Sequence, residues 1–356
     1  MTKLTLLGAG KIGDAIVHLL SQCGDYELTV ADNDPVRLDL IRGGRARTQR
    51  LDIHDENAVA DLLKGQDVVL SACPYYLTPA IARAALAAGT HYLDLTEDVE
   101  STRIVQRLSE GADRAFIPQC GLAPGFISIA AHDLAKRFDS LREVNMRVGA
   151  LPLYPTNALK YNLTWSTDGL INEYCNPCLA IHDGEQIETL ALEGVERFSL
   201  DGVDYEAFNT SGGLGTLTET LAGRVENLNY KTVRYPGHRD IIKILVRDLR
   251  LDHRRDLLKD VLETAVPMTL QDVVLIFVTV SGTREGRLTQ ETYAKKIYAQ
   301  EVNGRRLSAI QLSTASGICA MVDMLCERKL PQAGFVRQED APLDTFLANR
   351  FGRYYA

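Results

Sequence analysis

The stretch from residue 3 to residue 20 constrains the fold more than any other part of the chain. Residues 4–7 form a short apolar run typical of a buried strand, and residues 8–13 read Gly-Ala-Gly-Lys-Ile-Gly. Residues 14–20 then follow helical spacing. Strand, glycine turn and helix in this order predict a dinucleotide site, because the glycines allow the turn, the approach of the pyrophosphate and close packing of the helix. The cofactor-binding residues predicted from this turn are Gly8, Gly10, Lys11, Ile12 and Gly13.

An acidic residue follows at the distance that this motif requires. The apolar segment 27–31 predicts a second strand, and Asp32 ends it. A carboxylate there can accept both hydroxyls of the adenosine ribose and repels a 2′-phosphate. Arg37 lies close enough in sequence to soften that repulsion. We therefore predict NAD as the cofactor, with NADP as the disfavoured alternative.

Length and composition limit the classes of protein. The chain has 356 residues, which fits two domains, and 46% of them are hydrophobic and 24% charged, as in soluble enzymes. The net charge of -8 speaks against nucleic acid or an anionic membrane as a partner. We expect no transmembrane run and no signal peptide. Seven cysteines without a framework spacing indicate a reducing compartment, so the expected location is cytoplasmic.

Strand and helix patterns alternate through the first 125 residues. Such alternation predicts a Rossmann-type, doubly wound parallel sheet with helices on both faces. The further strands are predicted at 48–51, 67–71, 91–95 and 115–118. The helices are predicted at 35–42, 56–63, 79–88 and 99–109.

Several polar side chains follow these strands. Because the carboxyl ends of parallel strands meet at one edge, we expect the following loops to converge on one site. The converging side chains are Tyr75, Tyr76, Asp94, Thr96, Glu97 and Cys120. On the cofactor side the loops contribute Cys73 and Pro74. Asp52, after the third strand, is a candidate neighbour of the adenine, or alternatively the N-cap of the next helix.

The pattern changes near residue 126. Period-two segments at 144–148, 230–235, 272–280 and 291–299 predict a second, α+β domain on a largely antiparallel sheet. Helices are predicted at 126–138, 163–170 and 241–249. A long apolar helix at 308–328 is expected to pack back on the first domain, and the tail, 338–355, to lie across the domain cleft or a neighbouring subunit. The predicted domains are 1–125, completed by 306–356, and 126–305, which binds substrate and forms a dimer.

Sequence blocks beyond the glycine turn point to a family. They are Ser71-Ala-Cys-Pro-Tyr75 and the blocks at 120–125, 149–155, 161–166 and 230–238. Together they resemble the saccharopine dehydrogenase superfamily over nearly the whole chain. The stretches 91–98, 209–216, 235–238, 335–339 and 349–355 look most like the bacterial lysine 6-dehydrogenases. This resemblance implies oxidative deamination of the ε-amine of L-lysine by NAD, giving 2-aminoadipate 6-semialdehyde, ammonia and NADH. It also implies a homo-oligomer.

The chain departs from the saccharopine reductases at three points, one of which is Val148, where the fungal enzymes carry cysteine. Ala123 replaces an acidic residue of their Gly-Leu-Asp-Pro-Gly motif. Residues 212–215, in the region of an arginine that would bind a glutamate-derived carboxylate, carry no basic side chain. This favours lysine over saccharopine. The alternatives are a saccharopine or carboxynorspermidine dehydrogenase, or a dinucleotide sensor without turnover.

Amine oxidation requires a base for the amine proton and charged groups for the ends of an amino acid. Arg234 is the predicted clamp for the α-carboxylate, and its alternative is a solvated surface arginine. His238 is the predicted acid–base catalyst, and its alternative is a loop histidine that caps the next helix. Tyr75 and Glu97 are predicted to orient the amine or relay protons, and Asp94 to pair with an ammonium or to end its strand.

The remaining candidates rest on position alone. Thr96 and Cys120 are placed by their loops, and Asp168 by its place within the resembling region. The Cys175-Asn-Pro-Cys178 segment with His182 has no second pair of ligands, so no metal is predicted.

Overall fold

The computed structural model describes residues 1–41 and 46–356. The chain divides into two compact units: unit 1 is Met1–Phe126 with Gln311–Ala356, and unit 2 is Ile127–Ile310. The sequence-based boundaries, 125/126 and 305/306, lie close to these.

The first segment of unit 1 alternates strands and helices. They are β1 (Thr2–Leu7), α1 (Lys11–Ser21), β2 (Tyr26–Asp32), α2 (Pro35–Ile41), β3 (Arg47–Arg50), α3 (Glu56–Leu63), β4 (Val68–Ser71), α4 (Thr78–Ala88), β5 (His91–Asp94), α5 (Val99–Leu108) and β6 (Ala115–Ile117). Helix α2 was predicted to reach residue 42, which lies outside the described residues. Leu4, Leu6 and Leu7 of β1 are fully buried, as expected for a parallel strand covered on both faces.

Unit 2 begins with a helix and continues mainly in strands. Its elements are α6 (Phe126–Ala135), β7 (Ser140–Pro152), α7 (Thr167–Cys175), β8 (Cys178–His182), β9 (Glu185–Thr189), β10 (Glu196–Leu200), β11 (Val203–Asn209), α8 (Leu217–Thr220), β12 (Val225–Arg234), α9 (His238–Lys243), α10 (Arg255–Ala265), β13 (Asp272–Arg284), β14 (Arg287–Tyr298), β15 (Gln300–Val302) and β16 (Arg305–Leu307). The C-terminal segment adds α11 (Ala309–Cys326), β17 (Gly334–Phe335) and α12 (Leu343–Ala348).

The sheet of unit 1 is parallel, with strand order β17-β6-β5-β4-β1-β2-β3. This order places the loops that follow β1, β4, β5 and β6 at one edge, on both sides of the switch between β1 and β4. The predicted Rossmann-type fold is confirmed. Helix ends follow local chemistry: the Asp98 carboxylate accepts the Ser101 N–H at 2.7 Å where α5 begins, and Gly89 ends α4 in the left-handed region.

The main sheet of unit 2 has strand order β10-β11-β12-β7-β13-β14. Only the β7–β12 pair on this path is parallel, so the sheet is largely antiparallel, as predicted. The helix predicted at 163–170 exists but begins later and ends later, as α7, because Leu163 forms a bridge with Met268 and Ser166, whose hydroxyl accepts the Gly169 N–H, caps the helix. The helix predicted at 241–249 starts earlier, as α9, and Ile244–Asp248 forms a π-helical turn.

Helix α11 contradicts the expectation that no apolar run reaches the length of a transmembrane helix. It is long and apolar enough to span a bilayer by composition, with mean hydropathy 1.4, yet 83% of that window is buried inside the protein. It packs against the loop after β6 so closely that a Cβ on Gly317 would lie 2.8 Å from the Cys120 carbonyl oxygen. Among the described residues this apolar helix is therefore a core element.

The C-terminal tail packs within unit 1, and its position across the domain cleft or a neighbouring subunit stays a prediction. The Tyr355 ring stacks on Phe126 with centroids 4.0 Å apart, and its hydroxyl donates to the Ser313 carbonyl at 2.7 Å. Arg350 forms ion pairs with Asp323 and Asp25. The tail is therefore an integral layer of this unit.

Candidate cofactor and substrate sites

The three glycines of the turn after β1 have different surroundings. A Cβ on Gly8 would lie 2.8 Å from the Ala72 carbonyl oxygen, and one on Gly13 would lie 1.9 Å from the Gly8 carbonyl oxygen. On Gly10, by contrast, the one described heavy atom within 4 Å of such a Cβ is Nη1 of Arg37, at 3.9 Å. The fold itself requires glycine at 8 and 13. The space at Gly10 fits the approach of a pyrophosphate.

Gly10 is also the N-cap of α1, and no described side chain caps this end. The first N–H groups of a helix lack partners within the helix and carry its positive dipole end, so they suit phosphate. Lys11 is exposed and Ile12 half-buried at this end. The turn therefore fits the role predicted for it.

Asp32 is buried at the carboxyl end of β2. Its Oδ2 accepts the Ala9 N–H at 2.7 Å, and its Oδ1 accepts the Asp34 N–H at 2.9 Å. Nη1 of Arg37 lies 4.0 Å from Oδ2. The carboxylate is thus held beside the glycine turn, where an adenosine ribose would lie.

Asp52 follows β3, next to the end of β2, since the Leu51 N–H donates to the Asp32 carbonyl. Its Oδ1 accepts the His54 N–H at 2.9 Å, whereas Asp55 caps α3 through the Ala58 N–H. The alternative that Asp52 caps this helix is wrong. Its role beside the adenine stays a prediction.

The loop after β4 borders the glycine turn, because the Cβ built on Gly8 would lie 3.3 Å from the Cys73 backbone nitrogen. Burial, reinforced by the charge of Asp32, raises the pKa of the Cys73 thiol to about 12. Pro74 is exposed, and Tyr75 meets Tyr76 edge to face with ring centroids 5.8 Å apart. These residues lie where the sequence placed them, at the carboxyl edge.

Asp94 joins the loops after β5 and β6. Its Oδ1 accepts the N–H groups of Thr96 and Gln119, each at 2.9 Å, and its Oδ2 accepts the Tyr92 hydroxyl at 2.7 Å. Burial raises the pKa of Asp94, although these hydrogen bonds oppose the rise. Of the two roles predicted for Asp94, the structure therefore favours the one at the end of its strand.

Cys120 is also enclosed. Its thiol donates to the Ile117 carbonyl at 3.0 Å and receives an N–H of Gln338 at 3.2 Å, and burial raises its pKa well above the usual value. The neighbouring Thr96 is buried and Glu97 half-buried. Cys120 therefore supports the wall of this edge as a neutral thiol.

Arg234, the last residue of β12, is only 2% exposed. Its Nε donates to the Tyr174 hydroxyl oxygen at 3.1 Å, its Nη1 donates to the Val233 carbonyl at 2.9 Å, and its guanidinium lies 4.8 Å from the Tyr161 ring centroid. Burial opposes its charge, but Tyr174, Tyr161 and Glu173 hold its pKa above the usual value. The alternative of a solvated surface arginine is wrong.

His238 lies in the same cluster and is buried. Its Nδ1 lies 2.9 Å from the Leu159 carbonyl oxygen and its Nε2 lies 3.0 Å from the Tyr174 hydroxyl. A carbonyl only accepts, so Nδ1 carries the proton and the neutral Nε2 accepts from Tyr174. Burial, together with the charge of Arg234, lowers the pKa of His238 to about 3. The ring is neutral at pH 7 with both nitrogens bonded, and its acid–base role stays a prediction.

Helix α9 begins at His238, but another side chain caps it. The buried Glu206 accepts the Gly237 N–H at 3.0 Å and the Arg239 N–H at 2.8 Å, one on each carboxylate oxygen. The capping role predicted as the alternative for His238 is therefore wrong. Glu206 instead fixes the turn that carries the imidazole.

The structure adds residues that the sequence did not single out. Tyr174 and Glu173 of α7 are buried beside Arg234, and Glu173 acts electrostatically on Tyr230 of β12. Gly213 packs on Tyr230 so closely that a Cβ there would lie 2.2 Å from the ring. Asp168, in contrast, is half-exposed and pairs with Lys259 Nζ at 2.7 Å. The structure does not bring Asp168 into this cluster.

The described part of the chain contains no group of three or more His, Cys, Asp or Glu side chains suited to a metal ion. The arrangement that unit 2 offers is instead one buried cation surrounded by phenols, with a neutral imidazole. A rigid guanidinium of this kind can recognise a carboxylate.

Comparison with known proteins gives the relatives. The chain is 23% identical over 314 residues to the mitochondrial alpha-aminoadipic semialdehyde synthase of Bos taurus, covering 83% of this chain but 33% of that protein. It is 24% identical over 255 residues to saccharopine dehydrogenase [NADP(+), L-glutamate-forming] of Saccharomyces cerevisiae, covering 68% and 56%. The chain thus spans a third to just over half of these relatives.

Solved structures share the fold. The apo saccharopine dehydrogenase (L-Glu forming) of Saccharomyces cerevisiae matches with TM-score 0.78 at 16% identity, covering 100% of this chain and 96% of that one. The homospermidine synthase of Legionella pneumophila, solved in complex with NAD, matches with TM-score 0.71 at 16% identity, covering 99% and 89%.

Family models match both parts of the chain. Residues 4–115 match the saccharopine dehydrogenase NADP binding domain, and residues 121–351 match the saccharopine dehydrogenase C-terminal domain. These matches agree with the glycine turn, the parallel sheet and the mixed second sheet described above. The chain therefore belongs to the saccharopine dehydrogenase family, with a dinucleotide-binding domain formed around β1 and α1.

Proposed function

We propose that this protein is an NAD-dependent amine dehydrogenase that deaminates the ε-amine of L-lysine to 2-aminoadipate 6-semialdehyde, with release of ammonia. Family membership over both units supports an oxidoreductase that acts on amines. The resemblance of the blocks at 91–98, 209–216 and 235–238 to lysine 6-dehydrogenases supports lysine as the substrate. A cytoplasmic location and a homo-oligomer, as a dimer, belong to the same proposal.

One observation carries the choice of cofactor: the Asp32 carboxylate is fixed by two backbone N–H groups beside the open side of Gly10. A carboxylate held there accepts ribose hydroxyls and disfavours a 2′-phosphate. The matching family model is described as NADP-binding, whereas the Legionella pneumophila relative was solved with NAD. The choice of NAD therefore rests on Asp32.

At the substrate end, Arg234 is the proposed partner of the α-carboxylate. Its Nε and Nη1 are held by Tyr174 and the Val233 carbonyl, so the guanidinium is oriented before substrate binds. Glu173, buried in the same cluster, is the proposed partner of the α-ammonium. Opposite charges at fixed positions recognise both ends of an amino acid.

Lysine is favoured over saccharopine by the loop at 212–215. Saccharopine carries an additional carboxylate, and this loop offers no basic side chain to bind it. Gly213 packs directly on the Tyr230 ring, which leaves no room for a side chain at this position. The alternatives are a dehydrogenase of saccharopine or carboxynorspermidine, and a dinucleotide sensor.

The bound nicotinamide supplies the hydride acceptor. The chain must orient the amine, accept its proton and then admit the water that hydrolyses the imine to the aldehyde and ammonia. Glu97 and Tyr75, in the loops after β5 and β4, are the proposed groups for the proton. His238 is neutral and bonded on both nitrogens, so it serves here through Tyr174 to orient Arg234.

The test is formation of NADH from NAD, or of NADPH from NADP, by the purified protein with L-lysine, saccharopine, L-ornithine and carboxynorspermidine. Turnover of lysine with release of ammonia is the expected result. Turnover of saccharopine alone would refute the argument from the loop at 212–215. Binding of NAD without turnover of any amine would favour the sensor.

A further inference from the structure

Asp32 is accompanied by a second carboxylate that also contacts Arg37. Asp34 precedes α2, and its Oδ1 accepts the Val36 N–H at 2.9 Å, which anchors the side chain to the first turn of the helix. Its Oδ2 lies 3.3 Å from Nε of Arg37. One guanidinium thus faces two carboxylates, at 3.3 Å from Asp34 and 4.0 Å from Asp32.

The position of Arg37 relates this triad to the cofactor. Its Nη1 is 3.9 Å from the point where a Cβ on Gly10 would lie, so the guanidinium borders the space left for the pyrophosphate and ribose. Arg37 is 54% exposed and therefore able to turn toward a ligand. A 2′-phosphate carries about two negative charges and would form an ion pair with such a cation.

The charges around the ribose decide whether Arg37 can serve a 2′-phosphate. Two carboxylates and one guanidinium leave this corner with a net charge of about −1, and the ion pair between Nε and Asp34 Oδ2 engages the guanidinium. Without the Asp34 charge the corner would be neutral, and Arg37 would be released from its nearest anion. Asp32 alone would then oppose the phosphate.

We propose that Asp34 is a specificity-determining residue: by holding Arg37 it prevents this arginine from binding a 2′-phosphate and so selects NAD over NADP. This inference rests on the proposed cofactor site, but it does not depend on which amine is oxidised. It assigns a role to a residue that would act on the cofactor through Arg37.

The experiment measures dissociation constants of NADH and NADPH by the fluorescence of the dinucleotide, without substrate. Wild type, Asp34→Asn and the double variant Asp34→Asn/Arg37→Gln are compared. Asp61→Asn is the matched control, because Asp61 is an exposed carboxylate on α3 that pairs with Lys64, the residue that follows this helix. It changes the net charge equally without touching Arg37.

Asp34→Asn is expected to raise the affinity for NADPH relative to NADH about fivefold. The Arg37 charge, no longer neutralised by Asp34, would then act as one unit charge on a doubly charged phosphate about 8 Å away in water. The gain should shrink in 1 M salt, where the screening length is about 3 Å. In the double variant it should disappear.

The inference is overturned if Asp34→Asn leaves the ratio of NADPH affinity to NADH affinity unchanged. It is also overturned if this ratio rises in the double variant without Arg37, or rises equally in Asp61→Asn. If wild type binds neither dinucleotide, the proposed function itself fails. Loss of this inference and loss of the proposed function are therefore told apart by the wild-type titration.

Discussion

Nε of Arg234 lies 3.1 Å from the phenol oxygen of Tyr174, and this contact orders the hydrogen bonds around it. Arg234 can only donate, so the Tyr174 oxygen accepts and its own proton is directed to Nε2 of His238, 3.0 Å away. Nδ1 of His238 then donates to the Leu159 carbonyl. This chain of hydrogen bonds fixes the Arg234 guanidinium in place and keeps the His238 imidazole neutral.

Arg234→Ala is expected to weaken lysine binding by at least about 100-fold while the dissociation constant for NAD changes little, because a charged hydrogen bond to the carboxylate is lost. Removing one partner from a buried charged cluster should also lower the free energy of unfolding by about 3–5 kcal/mol. Michaelis constants, NAD titration and urea unfolding measure these effects.

Arg137→Ala is the matched control, since Arg137 lies on the surface of the same unit and pairs with Asp133 and Glu291. Its loss should change stability by about 1 kcal/mol or less and leave the Michaelis constant for lysine unchanged. Equal losses of lysine and NAD binding in Arg234→Ala would assign Arg234 a purely structural role.

The parallel sheet of unit 1 was predictable because its signals are local. Each strand is a short apolar run and each helix has a cap or an apolar face, so the strand after Asp67 and the helix ending at Gly89 were predicted almost to the residue. Topology then placed the loops at one edge. What no sequence pattern reveals is that backbone N–H groups of Thr96 and Gln119 occupy the Asp94 carboxylate.

Unit 2 was less predictable because its elements depend on distant partners. The segment 163–170 has apolar residues at helical spacing, but Leu163 is held extended by pairing with Met268, more than a hundred residues away in sequence. The true helix, α7, starts later and carries Glu173 and Tyr174. With the helix placed too early, nothing in the sequence distinguished these two residues from core positions.

Gly10→Ala and Gly13→Ala should separate cofactor binding from folding. A Cβ at Gly10 has open space and occupies the approach of the pyrophosphate, so we expect NADH affinity to fall at least about tenfold with less than about 1 kcal/mol lost in stability. A Cβ at Gly13 would overlap the Gly8 carbonyl oxygen, and this variant should lose about 3 kcal/mol or more.

Thermal unfolding and NADH titration of the two variants measure this difference. The pair serves as its own control, because both are the same substitution three residues apart in one turn. If Gly10→Ala binds NADH as tightly as wild type, the pyrophosphate does not pass this glycine.

Asp32→Ala should weaken NADH binding, because the ribose hydroxyls lose their acceptor. It should also lower the ratio of NADH affinity to NADPH affinity by about tenfold, because the charge that repels a 2′-phosphate is removed as well. The Ala9 and Asp34 N–H groups also lose their acceptor, so stability should fall by about 1–3 kcal/mol. Fluorescence titration with both dinucleotides measures the preference.

Asp52→Ala provides the comparison, since Asp52 follows the neighbouring strand but is exposed and bonded to a single described N–H. It should leave the preference between NADH and NADPH unchanged. An unchanged preference in Asp32→Ala as well would remove Asp32 from the ribose.

The buried, neutral His238 should make the stability of unit 2 depend on pH. Its pKa is about 3 in the folded protein and about 6.5 when unfolded, so below pH 6.5 the unfolded state binds more protons. The stabilisation is complete above pH 6.5 and is lost as pH falls toward 3, by up to about 1.4 kcal/mol per pH unit. His238→Gln should be less stable at pH 7 but flatten the pH dependence.

The fluorescence of Trp165, the single tryptophan of the chain, reports this unfolding, because its indole N–H lies 3.3 Å from the Tyr161 hydroxyl in the same cluster. His91 of unit 1 also has a lowered pKa, about 4, mainly through burial, so it adds a similar dependence there. His91→Gln should therefore leave unchanged the pH dependence of the free energy of unfolding that is measured by Trp165 fluorescence. His238→Gln should reduce this dependence. Equal slopes in wild type and His238→Gln would mean that the imidazole is not held neutral by its surroundings.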